Sequence, residues 1–361
     1  MVDVEVAHRR EANGPYPWGV EELSALVPLG WNARLADAAT TALADHPGAT
    51  PGRVARVDKR MVNVLTDAGK VRAATGSESL ATGDWVLLAD GEKWPDVVAV
   101  LPRHSAFVRG DPMDGTARNA QVVAANIDTV FVTQSLENGP NLRRLERELV
   151  LSFESGAEPV IVLTKADLAE GNAERDLAAD VAAVERTAVG APVIVTSSVT
   201  LAGVEDLRAH AGTGCTVALI GASGVGKSTL VNRLVGADVQ STGAVRSTDQ
   251  RGRHTTTARE LVLLPDGGVL VDTPGLRAVT LWVADDGLRR AFADIEALAP
   301  LCKFHDCAHD REPDCAVQAA VARSEIDAAR VQHYRQLDAE LDTVARRQEE
   351  GRELRGRRRR S

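Results

Sequence analysis

The run Gly221-Ala-Ser-Gly-Val-Gly-Lys-Ser228 follows a short apolar stretch, Thr216 to Ile220, and leads into Thr229-Leu-Val-Asn-Arg-Leu234. Glycines at this spacing let backbone N–H groups turn toward an anion. The lysine adds a cation, and the final hydroxyl can ligate Mg²⁺. Strand, loop and helix in that order make Gly221, Ala222, Ser223, Gly224, Val225, Gly226, Lys227, Ser228 and Thr229 a candidate cradle for the phosphates of a nucleoside triphosphate.

Such loops serve adenine and guanine nucleotides alike, so the base must be chosen elsewhere. Thr164-Lys-Ala-Asp167 follows the apolar run Val160 to Leu163. A carboxylate at Asp167 can accept hydrogen bonds from the N1 and N2 donors of guanine, which adenine lacks, and Lys165 can lay its stem along the ring. The tetrapeptide resembles the Asn-Lys-x-Asp motif of GTPases with Thr164 in place of Asn. That exchange removes an amide that braces the loop, and lower affinity is expected. Thr196-Ser-Ser198 also follows an apolar run, and Ser197 and Ser198 are read as main-chain contacts to guanine O6. GTP and GDP are therefore the expected ligands.

Asp272-Thr-Pro-Gly275 ends the apolar run Val269 to Val271. Asp272 is expected to hold Mg²⁺ through water and the Gly275 N–H to touch the γ-phosphate. Between the two phosphate elements lies Arg251-Gly-Arg-His-Thr-Thr-Thr257, where Thr256, with Thr255 as the alternative, is read as the Mg²⁺-binding threonine beside Ser228 and Asp272. Leu276 stands where many GTPases have a water-orienting glutamine, and its side chain can neither donate nor accept. His254 is the candidate catalytic residue, as water-orienting group or base. A partner-contacting histidine without chemistry is the other reading.

Cys302, Cys307 and Cys315 fall within 14 residues, with His305 and His309 between the first and last. Three thiolates and one imidazole can close a tetrahedral zinc site with no position left for a substrate, which is a structural site. The spacing leaves both histidines open. Cys215, just before the phosphate-loop strand, reads as a core residue.

The chain that must position these groups has 361 residues, 44% hydrophobic and 26% charged, enough for two or three domains. Its formal net charge of −9 argues against coating nucleic acid over the whole surface. No segment reaches the roughly 18 apolar residues of a membrane span. A soluble, cytoplasmic protein without a membrane partner is expected.

Residues 1–50 read as an irregular, partly helical extension. Residues 51–110 show short Val, Leu and Trp runs broken by tight-turn residues, which is an all-β module such as an OB-fold barrel. Residues 111–284 alternate strands with helices and predict an α/β core with a mostly parallel sheet. The base-specifying motifs precede the phosphate loop, so this GTPase-like core is circularly permuted, a rewiring that close termini permit. Residues 285–350 read as helices around the Cys/His cluster. Residues 351–361 form a basic tail that is not expected to fold alone.

Taken together, Gly252-Arg-His-Thr-Thr256, Asp272-Thr-Pro-Gly275, Cys302-Lys-Phe-His-Asp-Cys307-x-His309, Arg103-His-Ser, Gln121-Val-Val-Ala-Ala-Asn-Ile-Asp128 and Glu312-Pro-Asp-Cys-Ala-Val317 resemble the bacterial ribosome small-subunit-dependent GTPase family RsgA. The resemblance spans about residues 50 to 345. It implies an OB-fold, a permuted GTPase core and a C-terminal zinc domain that bind the 30S subunit during late maturation, with hydrolysis prompting release. It also selects His309 over His305 as the fourth zinc ligand. Contact with 16S rRNA follows, since OB-folds and zinc modules commonly bind RNA and the Arg-rich tail can reach phosphates. The tail as a merely solvated end is the alternative. A monomer is expected. Two other readings stand beside this one: a permuted GTPase acting on another RNA or on the large subunit, and a nucleotide-gated RNA-binding protein whose own hydrolysis is negligible.

Overall fold

Period-two alternation along the central strands dictates the core of this protein, because successive side chains of a strand point to opposite faces. Val130, Val132, Ile161, Leu163, Ala218 and Ile220 enter one apolar layer. Phe131, Val160, Val162, Val217 and Leu219 enter the other. Both faces of the sheet are thus apolar, which requires helices on each side. The computed structural model describes residues 23–76, 79–110, 121–170, 176–236, 260–272 and 285–358.

The described chain begins with a 3₁₀ turn, Ser24–Leu29, and helix α1, Ala33–Leu43, whose first turn is capped by the Asn32 side chain accepting from the Leu35 N–H. Strands β1 (Thr50–Asp58), β2 (Met61–Thr66), β3 (Gly69–Ala74), β4 (Trp85–Ala89) and β5 (Asp96–Val100) close into a barrel in the order β1-β2-β3-β5-β4. Closure removes the sheet edges and leaves Val54, Val62, Val64, Val86 and Val97 as its filling. The five-stranded OB-like barrel expected from the turn spacing is present. Strands β6 (Ala106–Arg109) and β7 (Gln121–Ala125) then pair with each other as a separate ribbon.

The core follows with β8 (Thr129–Ser135), α2 (Leu142–Ser155), β9 (Glu158–Thr164), α3 (Ala166–Glu170), α4 (Leu177–Thr187), β10 (Val193–Val195), α5 (Val204–Ala209), β11 (Thr216–Gly221), α6 (Lys227–Val235), β12 (Glu260–Leu263) and β13 (Val269–Asp272). The six strands lie in the order β10-β9-β8-β11-β13-β12, and all neighbours are parallel except β12 with β13. The apolar runs Val160 to Leu163, Thr216 to Ile220 and Val269 to Val271 all lie in strands of this sheet. Helix α2 is capped by Asn141, whose side chain accepts from the Arg144 N–H at 3.0 Å.

Beyond the core come α7 (Asp285–Ala291), α8 (Ala293–Glu296), a 3₁₀ turn at Ala299–Leu301, α9 (Ala316–Ala322) and α10 (Ala328–Arg358). The helix runs into the segment read as a basic tail, since Arg, Glu and Leu are good helix formers and α10 already supplies the nucleus. One apolar core runs without a break from Leu35 through Trp85 and Val130 to Phe292 and Leu337. The C-terminal helices are therefore packed on α2, not strung beside it. At this seam Arg330 of α10 meets Glu146 of α2 at 2.9 Å and Asp294 of α8 at 2.7 Å, with all three side chains largely removed from water. Deleting one partner of such a buried pair costs about 3–5 kcal/mol, because the other charge is stranded.

A second buried cation joins the barrel to the core. Arg53 of β1 donates to the main-chain oxygens of Leu29 and Asn126 and stacks over Trp85. Burial pulls its pKa down to about 10, against the pull of Asp128 and Asp84. The Arg103-His-Ser link contributes next to it: Arg103 grips Asp84 at 2.6 Å, and Ser105 Oγ donates to Ile127 O at 2.6 Å. No helix among the described residues is long and apolar enough to cross a membrane.

Candidate nucleotide and metal sites

The phosphate loop leaves the C-terminal end of β11, in the middle of the sheet between β8 and β13. Gly221 ends the strand at φ 140°, and a Cβ there would lie 2.4 Å from Thr133 O of β8, so only glycine fits this close approach. Gly226 takes φ 102° as the residue before α6. The loop thereby delivers Lys227 and Ser228 to the first turn of a helix, where free N–H groups and the helix dipole favour anions. The Lys227 ammonium lies over the loop and donates to Gly221 O at 2.8 Å and to Ala222 O.

The end of β9 brings Thr164 to Asp167, the segment expected to read the base, against this loop. Thr164 is 2% exposed. Its hydroxyl reaches Val225 O at 2.5 Å and Gln134 O at 3.1 Å, and with one hydrogen to give it serves the nearer carbonyl first. The expectation that threonine here leaves the loop unbraced is corrected. The side chain is short, but β9 and β11 are each one place from β8, and that closeness lets a hydroxyl span the gap.

Asp167 is aimed by a residue from another strand end. Ser197 Oγ donates to Asp167 Oδ1 at 2.6 Å and accepts from the N–H groups of Val199 and Thr200. The serine was read only for its main chain, and its side chain turns out to orient the carboxylate. Ser198 O accepts from Arg233 Nε of α6 at 3.1 Å, tying this segment to the helix behind the phosphate loop. Lys165 sits at φ 61° and pairs with Glu137 at 2.5 Å. Glu137 carried no motif, and nothing in its sequence context marked it.

Asp272 closes β13, the parallel neighbour of β11, so it ends at the same edge of the sheet as the phosphate loop. Ser228 stands in the first turn of α6, directly after that loop. Thr255, Thr256, His254, Gly275 and Leu276 lie outside the described residues.

In the C-terminal helices Cys302, Cys307, His309 and Cys315 bring one ligand atom each within 4.8 Å of one another. Cys302 Sγ and Cys315 Sγ are 3.8 Å apart and each is 3.6 Å from His309 Nδ1. Gln318 donates to His309 O at 2.6 Å and helps hold that residue at φ 54°. His305 is exposed and takes no part. Without a cation, burial and then the neighbouring thiols Cys315 and Cys302 push the Cys307 thiol up to about 12. A dication removes that penalty, and three sulfurs with one imidazole nitrogen suit zinc. The cluster could hold one zinc ion.

Known proteins resemble this chain in family and in fold. The profile of the RsgA GTPase family matches residues 100–282, and one described as a 50S ribosome-binding GTPase matches residues 216–349. The small ribosomal subunit biogenesis GTPase RsgA of Streptomyces avermitilis is 46% identical over 86% of this chain and 84% of its own length. Its Streptomyces coelicolor counterpart is 43% identical over 89% and 88%. Among solved structures, YjeQ from Thermotoga maritima superposes with a TM-score of 0.60 at 25% identity, covering 81% of this chain and 98% of its own. YloQ, described as a circularly permuted GTPase, gives 0.59 at 23%, covering 82% and 96%, and speaks for the fold alone.

Proposed function

Because the chain belongs to the RsgA GTPase family, we propose that this GTP-hydrolysing enzyme acts in late maturation of the small ribosomal subunit in the cytoplasm. It binds the 30S particle as a monomer and uses hydrolysis to prompt its own release. The observation that carries this reading is the match over 86% of the chain to a relative named for small-subunit biogenesis. The profile named for the 50S subunit covers a smaller share of the chain, residues 216–349.

In this reading Asp167, aimed by Ser197, takes the N1 and N2 donors of guanine. Lys165 lies along the ring, and main-chain N–H groups at Ser197 and Ser198 meet O6. Gly221 to Thr229 hold the phosphates. Ser228, Asp272 and Thr256 would hold Mg²⁺, which when bound neutralises charge on the β- and γ-phosphates. The Gly275 N–H touches the γ-phosphate. His254 orients the water that attacks phosphorus, so that GTP and water give GDP, hydrogenphosphate and a proton. Cys302, Cys307, His309 and Cys315 hold a structural zinc.

The barrel of residues 51–110 and the zinc-bearing helices of residues 285–350 take 16S rRNA on either side of the core, residues 111–284. The basic residues after Glu350 add phosphate contacts. Sedimentation of the full chain with purified 30S subunits tests the coupling. Retention is expected with a non-hydrolysable GTP analogue and loss with GDP, whereas equal retention in both states would remove hydrolysis as the release step.

A further inference from the structure

A cavity of about 380 Å³ lies against the phosphate loop, walled by Ala222 and Ser223, by Arg143, Arg147 and Glu148 of α2, and by His333 of α10. Ala222 and Ser223 belong to the phosphate loop, whereas the side chains that α2 and α10 bring to this wall belong to no nucleotide-binding motif. The cavity thus borders the loop read as the cradle of the triphosphate.

Three features give the space a chemical preference. Arg147 presents a guanidinium already oriented by two 2.7 Å bonds to Glu340 of α10. Arg143 is exposed and has no ion-pair partner among the described residues. His333 is 8% exposed, and its Nδ1 lies 2.5 Å from Glu146, which Arg330 holds in place. A carboxylate only accepts, so Nδ1 carries the hydrogen and Nε2 is the ring atom left over. Nε2 has no hydrogen-bond partner among the described residues, and His333 lines the cavity.

The acid in the wall does not cancel this preference. Glu148 is occupied by Gln134 at 2.8 Å and by Arg144 at 3.1 Å, and burial raises its pKa. What fits is a small anion that offers both oxygens and a hydrogen. The oxygens answer the guanidinium groups, and Nε2 is satisfied by either, donating if the ring is charged and accepting if it is neutral.

We propose that this cavity is a binding site for orthophosphate, the product of hydrolysis, held by His333 Nε2 and Arg143 with Arg147 beside them. The proposal rests on the reading of Gly221 to Ser228 as the phosphate loop. His333 and Glu340 both stand on α10, so the site is shared between the core and the C-terminal helices.

The test uses the full chain saturated with GDP and Mg²⁺, which fills the phosphate loop, and titrates it with inorganic phosphate. The readouts are the ¹⁵N resonance of His333 Nε2 and the phosphate affinity of wild type, Arg143→Ala and His333→Gln. Phosphate is expected to shift that resonance, and Arg143→Ala to weaken phosphate about ten-fold with GDP affinity and melting unchanged. Should His333→Gln disturb folding through Glu146, Arg143→Ala alone decides. No shift, an unchanged affinity in Arg143→Ala, or a shift with a short RNA oligonucleotide but not with phosphate would overturn the proposal. Failure of the wild type to bind GDP would strike the phosphate-loop reading instead.

Discussion

Thr164 Oγ1 lies 2.5 Å from the main-chain oxygen of Val225, 61 residues away along the chain. This bond joins the end of β9, where the proposed base contacts lie, to the phosphate loop, so the two segments are braced against each other. Thr164→Val keeps the shape and removes the donor, leaving a buried carbonyl short of its partner. A loss of about 1–3 kcal/mol in stability is expected, with GDP affinity about ten-fold weaker. Chemical denaturation and GDP titration check both, and wild-type GDP affinity in the variant would show that the brace is not functional.

Ser197 holds Asp167 through a single 2.6 Å bond. Ser197→Ala frees the carboxylate to rotate and is expected to weaken GDP about five- to ten-fold, the cost of about 1 kcal/mol for one hydrogen bond. Asp167→Ala is expected to go further and abolish the preference for guanine, so that ATP competes with GTP for the site. Nucleotide competition against a fluorescent GDP analogue measures each step. Retained guanine preference in Asp167→Ala would move base recognition elsewhere.

The Cys/His cluster predicts about one zinc per chain by elemental analysis. His309→Ala is expected to lower that content and to melt the C-terminal helices early, whereas His305→Ala leaves both unchanged. Chelation of the wild type should have the effect of His309→Ala, since structural zinc contributes its binding free energy to folding. Equal zinc loss in the two histidine variants would contradict the ligand assignment.

Asp128 sits where the barrel link meets the sheet, accepting from the Thr216 N–H at 2.7 Å and facing His104 at 3.1 Å. Burial pushes its carboxyl upward, but the hydrogen bonds from His104 and Thr216 prevail and hold its pKa below the ordinary value. A depressed carboxylate stabilises the fold above the unfolded-state value of about 3.9, and that contribution is lost as pH falls through the lower folded value. Its side chain is 41% exposed, so solvent weakens the pair. Asp128→Asn is expected to cost about 1 kcal/mol at pH 7, with the gap to wild type closing below about pH 4. Urea melts across that range provide the check.

How much of this could be read along the chain follows from sequence distance. The phosphate loop, the strands around it and the Cys/His spacing are local patterns, each carried by a dozen or so neighbouring residues, and the fold agrees with them. The contacts Thr164 to Val225, Ser197 to Asp167 and Arg53 to Asn126 join residues 61, 30 and 73 apart and exist only once strands are ordered in the sheet. Arg53 looked like any strand arginine, although it is 1% exposed. Glu146, Arg330 and His333 read as surface charges on polar helices, because nothing in α2 or α10 alone says that their faces meet.

The most direct measurement is GTP turnover by the full chain alone, with purified 30S subunits and with purified 50S subunits, using ATP as the control substrate. Stimulation of about ten-fold or more by 30S is expected, a barrier lowered by at least about 1.4 kcal/mol, with no response to 50S and no use of ATP. His254→Ala should lose that stimulated rate. Equal stimulation by 50S, or none by 30S, would contradict the account, and an undiminished rate in His254→Ala would remove the histidine from the chemistry.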